Sequence, residues 1–512
     1  MGNAIELKGI TKVFGEVVAN NKVDLTVREG EILAILGENG SGKTTLMNML
    51  SGIYYPDAGQ IFVHGKEVSI RSPKDAFDLG IGMIHQHFKL VDVLTAAENI
   101  VLGLPGQGKL DRKAISAQIG EISGKYGFEI DPARKIYDMS VSEKQTVEIV
   151  KVLYRGADVL ILDEPTAVLT PQETDKLFQI LKTMAADGKS IIIITHKLHE
   201  VMSVSNRVAV LRKGEYIDTV NTPETNPQAL TDMMVGHAVT LNIDRPEPRD
   251  PVDRLAVEAL TCVNGEGVTV LKDVSFTARS GEILGIAGIA GSGQKELCEA
   301  IAGLQPVQQG HVYYTPAEEG KDREDLIGKD PMAIRDLGVS LAFVPEDRLG
   351  MGLVASMGMA GNMMLRSYRS GKSLLVDRRS PRELAEVVMK QLEVSAPDVT
   401  DTPVRRLSGG NVQKVLVGRE IASAPTVLMA AYPVRGLDIN SSYTIYRLLN
   451  EQKEKGVAVI YVGEDLDVLL ELCDRILVLC GGQVSGVVEG RTATKEQVGL
   501  MMTQVRGKEG AK

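Results

Sequence analysis

The sequence is poor in cysteine and in positive charge, and each shortage argues against a class of function. The four cysteines, Cys262, Cys298, Cys473 and Cys480, form no CxxC pair, which favours buried thiols over zinc ligands or disulfides. Lysine and arginine number 57 against 67 aspartate and glutamate, a formal net charge of −10. An acidic chain is poorly suited to neutralise the many phosphates of a nucleic acid, although a nucleotide in a small pocket remains compatible with it.

Long apolar runs are also missing. No stretch approaches the roughly 20 residues that cross a bilayer, and the most apolar segments, Ser190 to Thr195 and Arg475 to Cys480, have the length of strands. The amino-terminal stretch lacks the basic and apolar regions of a signal peptide. Glu6 occupies the position where a myristoylation motif needs serine or threonine. These features predict a cytosolic or peripheral protein.

An internal repeat organises the 512 residues. The stretch VDLTVREGEILAILGENGSGKTTL resembles VSFTARSGEILGIAGIAGSGQKEL and places Gly37 opposite Gly288. Three later pairs keep one offset of 268 positions: Ser140 with Ser408, Pro165 with Pro433, and His196 with Glu464. One fold is therefore expected twice.

Composition predicts where the two copies meet. The stretch from Asn242 to Asp253 is rich in proline and aspartate and indicates an exposed linker. We expect a first domain at 1–240, a linker at 241–254 and a second domain at 255–512. In both, β-branched strand patterns alternate with helical ones, which predicts an α/β fold with a mainly parallel sheet.

The first copy carries a complete phosphate-binding loop after the apolar run EILAIL. Residues 37–44 match GxxxxGK[ST], in which backbone N–H groups surround the phosphates, Lys43 reaches the β and γ phosphates, and Thr44 binds Mg²⁺. The nucleotide contacts predicted here are Gly37, Glu38, Asn39, Gly40, Ser41, Gly42, Lys43, Thr44 and Thr45. ATP and Mg²⁺ are the predicted ligands.

Two further strands end in residues suited to phosphate chemistry. VLILDE ends in Asp163, a candidate Mg²⁺ ligand, and Glu164, a candidate general base. SIIIIT is followed by His196, which can reach the same sheet edge and contact a γ phosphate. The histidines on either side of Gln86 have no further metal ligands nearby in the sequence and are interpreted as surface residues.

In their order and spacing, these motifs resemble the ABC ATPase family over nearly the whole of both copies. The resemblance implies two tandem P-loop NTPase domains, each with a mainly parallel core, an antiparallel β subdomain and a helical signature subdomain. It also implies γ-phosphate sensing and Mg²⁺ contact by Gln86, a switch role for His196 and adenine stacking on Phe14. Each P-loop would face the LSGGQ signature of the other domain across a bound ATP.

The second copy has lost the catalytic set. Gln294 and Lys295 stand where the first copy has Lys43 and Thr44. One step along a helix turns a side chain by about 100°, so Lys295 is expected to point away from the phosphates. The other replacements are Ala431 for Asp163, Tyr432 for Glu164, Glu464 for His196, Glu346 for Gln86 and Gly265 for Phe14. Hydrolysis at this loop is not expected.

The signatures differ in the opposite direction. Leu407 to Asn411 reads LSGGN, whereas Met139 to Glu143 reads MSVSE, with side chains where close phosphate approach requires glycine. Pairing in trans then gives one consensus site, in which Lys43, Asp163, Glu164 and His196 face the intact signature. Its predicted signature contacts are Ser408, Gly409, Gly410 and Asn411.

The fused arrangement with GIAGSGQ, VPEDR and LSGGNVQK resembles bacterial importers of simple sugars and nucleosides, and the stretch SPKDAFDLGIGMIHQHFKLVDVLTAAENIVLG favours the nucleoside branch. The resemblance implies two transmembrane permeases, an extracytoplasmic solute-binding protein or lipoprotein, and a peripheral location at the cytoplasmic face. A monosaccharide importer is the first alternative. A soluble fused ABC ATPase acting on ribosomes or DNA is disfavoured by the short linker and the absence of zinc cysteines and coiled coils. A regulator without turnover is disfavoured by Glu164 and His196.

Overall fold

The computed structural model divides the chain into two compact units, Met1–Thr240 and Leu241–Lys512. The residues it describes are 2–15, 17–85, 88–104, 111–166, 169–195, 197–236, 242–264, 267–289, 291–318, 320–343, 352–368, 376–394, 396–435 and 437–504.

The first unit contains two sheets. Its strands are β1 (Asn3–Phe14), β2 (Val17–Arg28), β3 (Ile32–Leu36), β4 (Ala58–Val63), β5 (Lys66–Val68), β6 (Ile81–Ile84), β7 (Val159–Asp163), β8 (Ser190–Ile194), β9 (Arg207–Arg212) and β10 (Glu215–Asn221). An antiparallel sheet has the order β2-β1-β4-β5, and the main sheet has the order β10-β9-β3-β8-β7-β6. In the main sheet only the edge pair β9–β10 is antiparallel. The predicted α/β fold with a mainly parallel sheet is confirmed.

The apolar strands of the main sheet are buried on both faces. All residues of β3, β7 and β8 are buried, as their nearly unbroken aliphatic sequences predict for a covered parallel sheet. Parallel pairing sets the carboxyl ends of β3, β8, β7 and β6 along one edge. The residues that follow these four strands therefore emerge side by side, which is where doubly wound folds place their ligands.

Helices cover this sheet and form a separate helical segment. In the first unit they are α1 (Lys43–Leu50), α2 (Pro73–Asp78), α3 (Ala96–Val101), α4 (Arg112–Tyr126), α5 (Val141–Tyr154), α6 (Pro171–Ala186), α7 (Leu198–Val204) and α8 (Pro227–Val235). Helix α6 shows how the sequence starts them: Thr170 caps it, Pro171 is its first residue, and Glu173 completes a capping box. Its apolar positions, from Leu177 to Met184, face the core.

The second unit repeats this plan. Its strands are β11 (Asp253–Val263), β12 (Thr269–Arg279), β13 (Ile283–Gly288), β14 (Val307–Tyr314), β15 (Glu324–Asp325), β16 (Val339–Phe343), β17 (Val427–Ala431), β18 (Ala458–Val462), β19 (Arg475–Cys480) and β20 (Gln483–Glu489). Its helices are α9 (Gln294–Ile301), α10 (Pro331–Asp336), α11 (Met359–Ser367), α12 (Arg379–Gln391), α13 (Gly409–Ala422), α14 (Ile439–Glu454), α15 (Leu466–Leu472) and α16 (Lys495–Thr503). The sheet orders β12-β11-β14-β15 and β16-β17-β18-β13-β19-β20 match those of the first unit, which confirms the repeat.

The stretch predicted as a linker is anchored to the second unit. Its described residues are mostly exposed and form no helix or strand before Asp253, as its composition predicts. However, Arg245 donates to the carbonyls of Leu470 (3.0 Å) and Cys473. Asn450 donates to the Asp244 carbonyl at 2.6 Å. The stretch is thus a strap held against the second unit, which composition alone does not show.

In the part of the chain that the structure describes, the helices and the cysteines can be compared with the sequence. None of its helices combines the length and the apolarity that crossing a membrane requires. Cys262, Cys298 and Cys473 are buried free thiols, and Cys480 is partly buried.

Candidate functional site

The loop between β3 and α1 is shaped by glycines. Gly42 caps α1 with φ of +93°, and a Cβ there would lie 2.3 Å from the Ala19 carbonyl oxygen. A Cβ on Gly37 would lie 2.3 Å from the Leu211 carbonyl oxygen. Within the described residues, the buried Ser41 hydroxyl has no hydrogen-bond partner. A concave loop with a free buried hydroxyl and the amino end of a helix fits a phosphate chain.

Lys43 lies inside this loop. Its side chain is 6% exposed, and its ammonium donates to the carbonyls of Gly37 (2.7 Å) and Glu38 (2.9 Å). Burial lowers the pKa of Lys43, and the carboxylates of Glu164 and Asp163 oppose that shift. The ammonium therefore stands among the backbone groups that would surround a phosphate, with two acidic groups close enough to influence its charge.

Asp163 at the end of β7 faces the first turn of α1. It is 8% exposed and forms a side-chain hydrogen bond with Thr44. Burial and then the neighbouring Glu164 raise the pKa of Asp163 to about 6, while Thr44 and Lys43 lower it. A hydroxyl and a carboxylate held together beside a phosphate loop are the oxygen ligands that Mg²⁺ prefers. Thr44 and Asp163 therefore fit the predicted metal site.

The raised pKa of Asp163 predicts a stability effect. The native pKa of about 6 exceeds the ordinary value of 3.8, so the folded protein favours the protonated form, and this advantage is lost as the pH rises from about 4 to about 6. Asp163→Asn is then expected to raise the unfolding free energy of the protein at pH 7 by on the order of 2–3 kcal/mol.

Urea unfolding of the parent chain and of Asp163→Asn between pH 4 and pH 7 tests this expectation. The stability difference should grow up to about pH 6 and then level off. With Mg²⁺ and ATP added at pH 7, the parent chain should gain stability and the variant should not. A stability difference independent of pH would contradict the assignment.

Glu164 has a left-handed backbone. Its φ is +47°, and its N–H donates to the Ile194 carbonyl at 2.9 Å, which ties the end of β7 to the end of β8. Non-glycine residues in this region carry strain and are concentrated at functional sites. In the second unit Tyr432 has φ of +52°, and its N–H donates to the Val462 carbonyl at 2.8 Å. The second unit retains the backbone geometry and lacks the carboxylate.

Sequence reasoning missed Glu200, which joins two strand ends. This residue is 7% exposed. Its carboxylate accepts from the hydroxyls of Thr166 and Thr195 (3.3 Å for Thr195) and pairs with Lys197 at 3.1 Å. It therefore connects the turn after Glu164 to the residues on either side of His196. No spacing in the sequence signals this role, because the partners come from two separate strand ends.

Phe14 is the last residue of β1 and is 43% exposed. The Tyr54 ring contacts it edge-on, with centroids 5.2 Å apart and planes inclined by 71°. The Lys12 ammonium stands 5.4 Å from its centroid. Phe14 thus keeps exposed ring surface, as a base-stacking residue requires.

The corresponding loop of the second unit holds a neutral side chain. Gln294 is 4% exposed, and its amide donates to the Ile289 carbonyl at 3.2 Å. Lys295 lies 3.8 Å from Glu299 one turn along the helix, with 48% of its side chain exposed. This placement agrees with the expectation that Lys295 points away from the loop. The positive charge that Lys43 supplies in the first unit is absent from this loop.

A further difference between the loops was not predicted. Asn20 is fully buried, and its amide donates to the Gly42 carbonyl at 3.2 Å. Leu271 takes its place in the second unit and is also fully buried. The polar support of the phosphate loop is therefore specific to the first unit.

The strand end of the second unit has no acid where the first unit has two. Ala431 and Tyr432 stand there. Burial and then Glu464 raise the pKa of Tyr432 to about 12, so its hydroxyl cannot serve as a base near neutral pH. Glu464 itself faces Arg435 at 3.6 Å.

The two signature helices begin differently. Ser408 caps α13 by accepting from the Asn411 N–H at 3.3 Å, and Gly409 and Gly410 form the first turn. Ser140 caps α5 in a closed capping box: Ser140 N–H donates to Glu143 at 2.7 Å, and Glu143 N–H donates to Ser140 at 3.3 Å. A carboxylate already occupies the amino end of α5, where a phosphate would otherwise be favoured.

The remaining predicted residues fall into two groups. In the loop and the first turn of α1, Glu38 and Thr45 are partly buried, whereas Asn39, Gly40 and Thr44 are exposed. Four predicted positions lie outside the described residues: Gln86, His196, Gly265 and Glu346.

Comparison with known proteins places these features in one family. The family model described as ABC transporter matches residues 20–167 and 271–433. The guanosine import ATP-binding protein NupO of Bacillus subtilis is 42% identical, and the alignment covers 100% of this chain and 99% of that protein. The nucleoside import ATP-binding protein NupA of Lactococcus lactis subsp. cremoris is 41% identical over 97% of each chain. The glucose import ATP-binding protein TsgD13 of Haloferax volcanii is 40% identical over 98% of this chain and 95% of that protein.

Proposed function

The chain belongs to the ABC transporter family of ATP-binding proteins, and from this membership we propose that it energises the import of a nucleoside through one hydrolytic ATP site. Each compact unit contains one ATP-binding domain: the first domain is 1–240, and the second is 255–512 within the unit Leu241–Lys512, with 241–254 as the connection. The observation that carries the proposal is the cluster of Lys43, Asp163 and Glu164 at the carboxyl edge of the first sheet.

The cluster and the residues predicted around it take separate roles in hydrolysis. Lys43 and the loop N–H groups hold the β and γ phosphates, and the base stacks on Phe14. Thr44 and Asp163, together with Gln86, would hold Mg²⁺, which would supply positive charge beside the phosphates. Glu164 orients the attacking water and accepts its proton. His196, which follows β8 in the sequence, would contact the γ phosphate.

The start of the signature helix in the second unit is also suited to a γ phosphate. Ser408 and Asn411, with the glycine N–H groups of the first turn of α13, offer donors to a γ phosphate at the start of a helix. The closed capping box at Ser140 and the neutral Gln294 support the complementary proposal, in which the other pair of motifs does not hydrolyse ATP. The ATP would then be held between the first P-loop and the second signature.

A nucleoside is the proposed solute, and a monosaccharide is the second candidate. Full-length relatives that import guanosine and nucleosides are 42% and 41% identical, and one that imports glucose follows at 40%. Two transmembrane permeases and an extracytoplasmic solute-binding protein are the proposed partners, and the chain would lie at the cytoplasmic face of the membrane through the permeases. A soluble role on ribosomes or DNA has less support, since these relatives are importers by name and match nearly end to end.

Reconstitution with the permeases and a solute-binding protein tests the solute. We expect ATP hydrolysis to be stimulated when the binding protein carries a nucleoside such as guanosine, and not when it carries ribose or glucose. The matched control is the same assembly built with Glu164→Gln, which should remain inactive with each solute. Stimulation by a sugar alone would replace the nucleoside with the second candidate, and failure to recover any permease would favour the soluble alternative.

A further inference from the structure

Asp57 binds the end of the strand that carries Phe14. One carboxylate oxygen accepts the Val13 N–H at 2.7 Å, and the other accepts from the Lys12 ammonium at 3.0 Å. The Asp57 N–H in turn donates to the Thr11 carbonyl at 2.9 Å. Three successive residues of β1, immediately before Phe14, are therefore fixed by this one aspartate.

The same turn carries the second aromatic ring. Tyr54 lies three residues before Asp57, and its N–H donates to the Asn48 carbonyl at 3.0 Å. Lys12 also donates to the Tyr55 carbonyl at 2.8 Å, so it bridges the strand and the turn. The Phe14 and Tyr54 rings keep 43% and 37% exposure while in edge contact. Asp57 thus holds together the two backbone segments from which the aromatic corner is built.

Fold stability does not account for this arrangement. The Asp57 and Lys12 side chains are 46% and 14% exposed, and surface ion pairs of this kind contribute little to unfolding free energy. The hydrogen bond from the Val13 N–H has the larger effect on the pKa of Asp57, and the one from Lys12 adds to it. Together they hold this pKa below its usual value, so the carboxylate is charged at neutral pH. What the contacts fix is the position of the strand end.

We propose that Asp57 is a positioning residue for the base of the nucleotide: by fixing the end of β1 and the Tyr54 turn, it sets the Phe14–Tyr54 corner against which the base packs. This inference rests on the proposed stacking role of Phe14. Asp57 then affects nucleotide affinity through the base. It affects neither the binding of the phosphates nor the rate of the chemical step.

The second unit supplies a matched control. There Gln308 accepts the Val263 N–H at 2.8 Å at the end of β11, which is the counterpart of β1. The strand register matches Val263 to Val13, so the position of Phe14 is taken by Asn264 and not, as the sequence alignment predicted, by Gly265. The anchor of the strand end is therefore present in a unit that lacks the aromatic. Gln308→Ala removes a comparable surface contact without touching the proposed base site.

Steady-state ATP hydrolysis by the full chain tests the proposal when two competitive inhibitors are compared. ADP carries the base, and inorganic tripolyphosphate does not. We expect Asp57→Ala to raise the KM for ATP and the inhibition constant of ADP by about 3- to 10-fold, a part of the roughly 10- to 100-fold loss expected for Phe14→Ala. The kcat, the inhibition constant of tripolyphosphate and the melting temperature should not change.

The variants separate the alternatives. Asp57→Asn keeps an acceptor for the Val13 N–H and should lie between the parent chain and Asp57→Ala, while Gln308→Ala should match the parent chain. An equal rise for tripolyphosphate and ADP would mean that Asp57 supports the phosphate loop, and an unchanged KM for ATP would remove its role; either result overturns the inference. If Phe14→Ala also leaves the KM for ATP unchanged, the proposed base site fails as well.

Discussion

Glu164→Gln is expected to lower the kcat for ATP hydrolysis by about 10²- to 10⁴-fold, the range for loss of a general base. The exchange keeps the size of the side chain and removes its ability to accept a proton. Lys43 and Thr44 are untouched, so ATP binding should persist. The phosphate released by the full chain in steady state, with ATP binding measured separately by equilibrium dialysis, gives both quantities.

The internal repeat provides controls at equivalent positions. Tyr432→Phe changes the residue that replaces Glu164 in the second unit, and Lys295→Ala removes the lysine that lies beside Glu299. Both variants should keep most of the activity of the parent chain, whereas Lys43→Ala should abolish it together with tight ATP binding. Comparable losses from Lys43→Ala, Glu164→Gln and Lys295→Ala would refute the assignment of one hydrolytic site.

Much of this site could be predicted because strand ends and motifs are local in sequence. The apolar strands ILAIL, VLILD and SIIII each precede a chemically suited residue, and parallel pairing brings their carboxyl ends to one edge. Alignment of the two copies of the repeat likewise predicted that Gln294 stands at the position of Lys43 in the second unit. The rotation of about 100° per residue in a helix predicted the direction of Lys295, which the contact with Glu299 supports.

The residues that support the site could not be predicted in this way. Glu200 and Asn20 act on groups that are remote in sequence or that belong to the backbone, and a buried amide or carboxylate leaves no periodic signal. The capping box at Ser140 is visible as a Ser-x-x-Glu pattern, yet only the structure shows that both of its hydrogen bonds are formed. The sequence predicts only an ordinary turn residue at Asp57, and its contacts with β1 are known only from the structure.

The strap before the second domain is a further example, and one of its contacts comes from a buried ion pair. The Lys453 and Asp474 side chains are 1% and 7% exposed and lie 2.7 Å apart. Lys453 also donates to the Pro246 carbonyl of the strap. Asp474 accepts the Ile283 N–H at 2.8 Å with its other oxygen. The pair therefore joins the strap to the beginning of the main sheet of the second unit.

The first unit has the same site without the ion pair. Asn206 there accepts the Ile32 N–H at 2.7 Å, as Asp474 does for Ile283. Ala185 occupies the position that corresponds to Lys453, 268 residues earlier. An asparagine is therefore sufficient for the contact with the sheet, and the added lysine and aspartate accompany the docking of the strap.

Lys453→Ala is expected to destabilise the protein by about 3–5 kcal/mol, because it leaves the Asp474 carboxylate buried without its counter-charge. The double variant Lys453→Ala with Asp474→Asn reproduces the pair of residues found in the first unit and should recover most of that loss, since a neutral amide still accepts the Ile283 N–H. Unfolding in urea followed by circular dichroism measures both, as the chain has no tryptophan. In both variants trypsin should cut faster after Arg249, because the Pro246 carbonyl has lost its donor. If the destabilising effects of the two substitutions were additive, the unpaired charge of Asp474 would not be the cause of the destabilisation. Unchanged cleavage of the strap would show that the ion pair does not hold the strap.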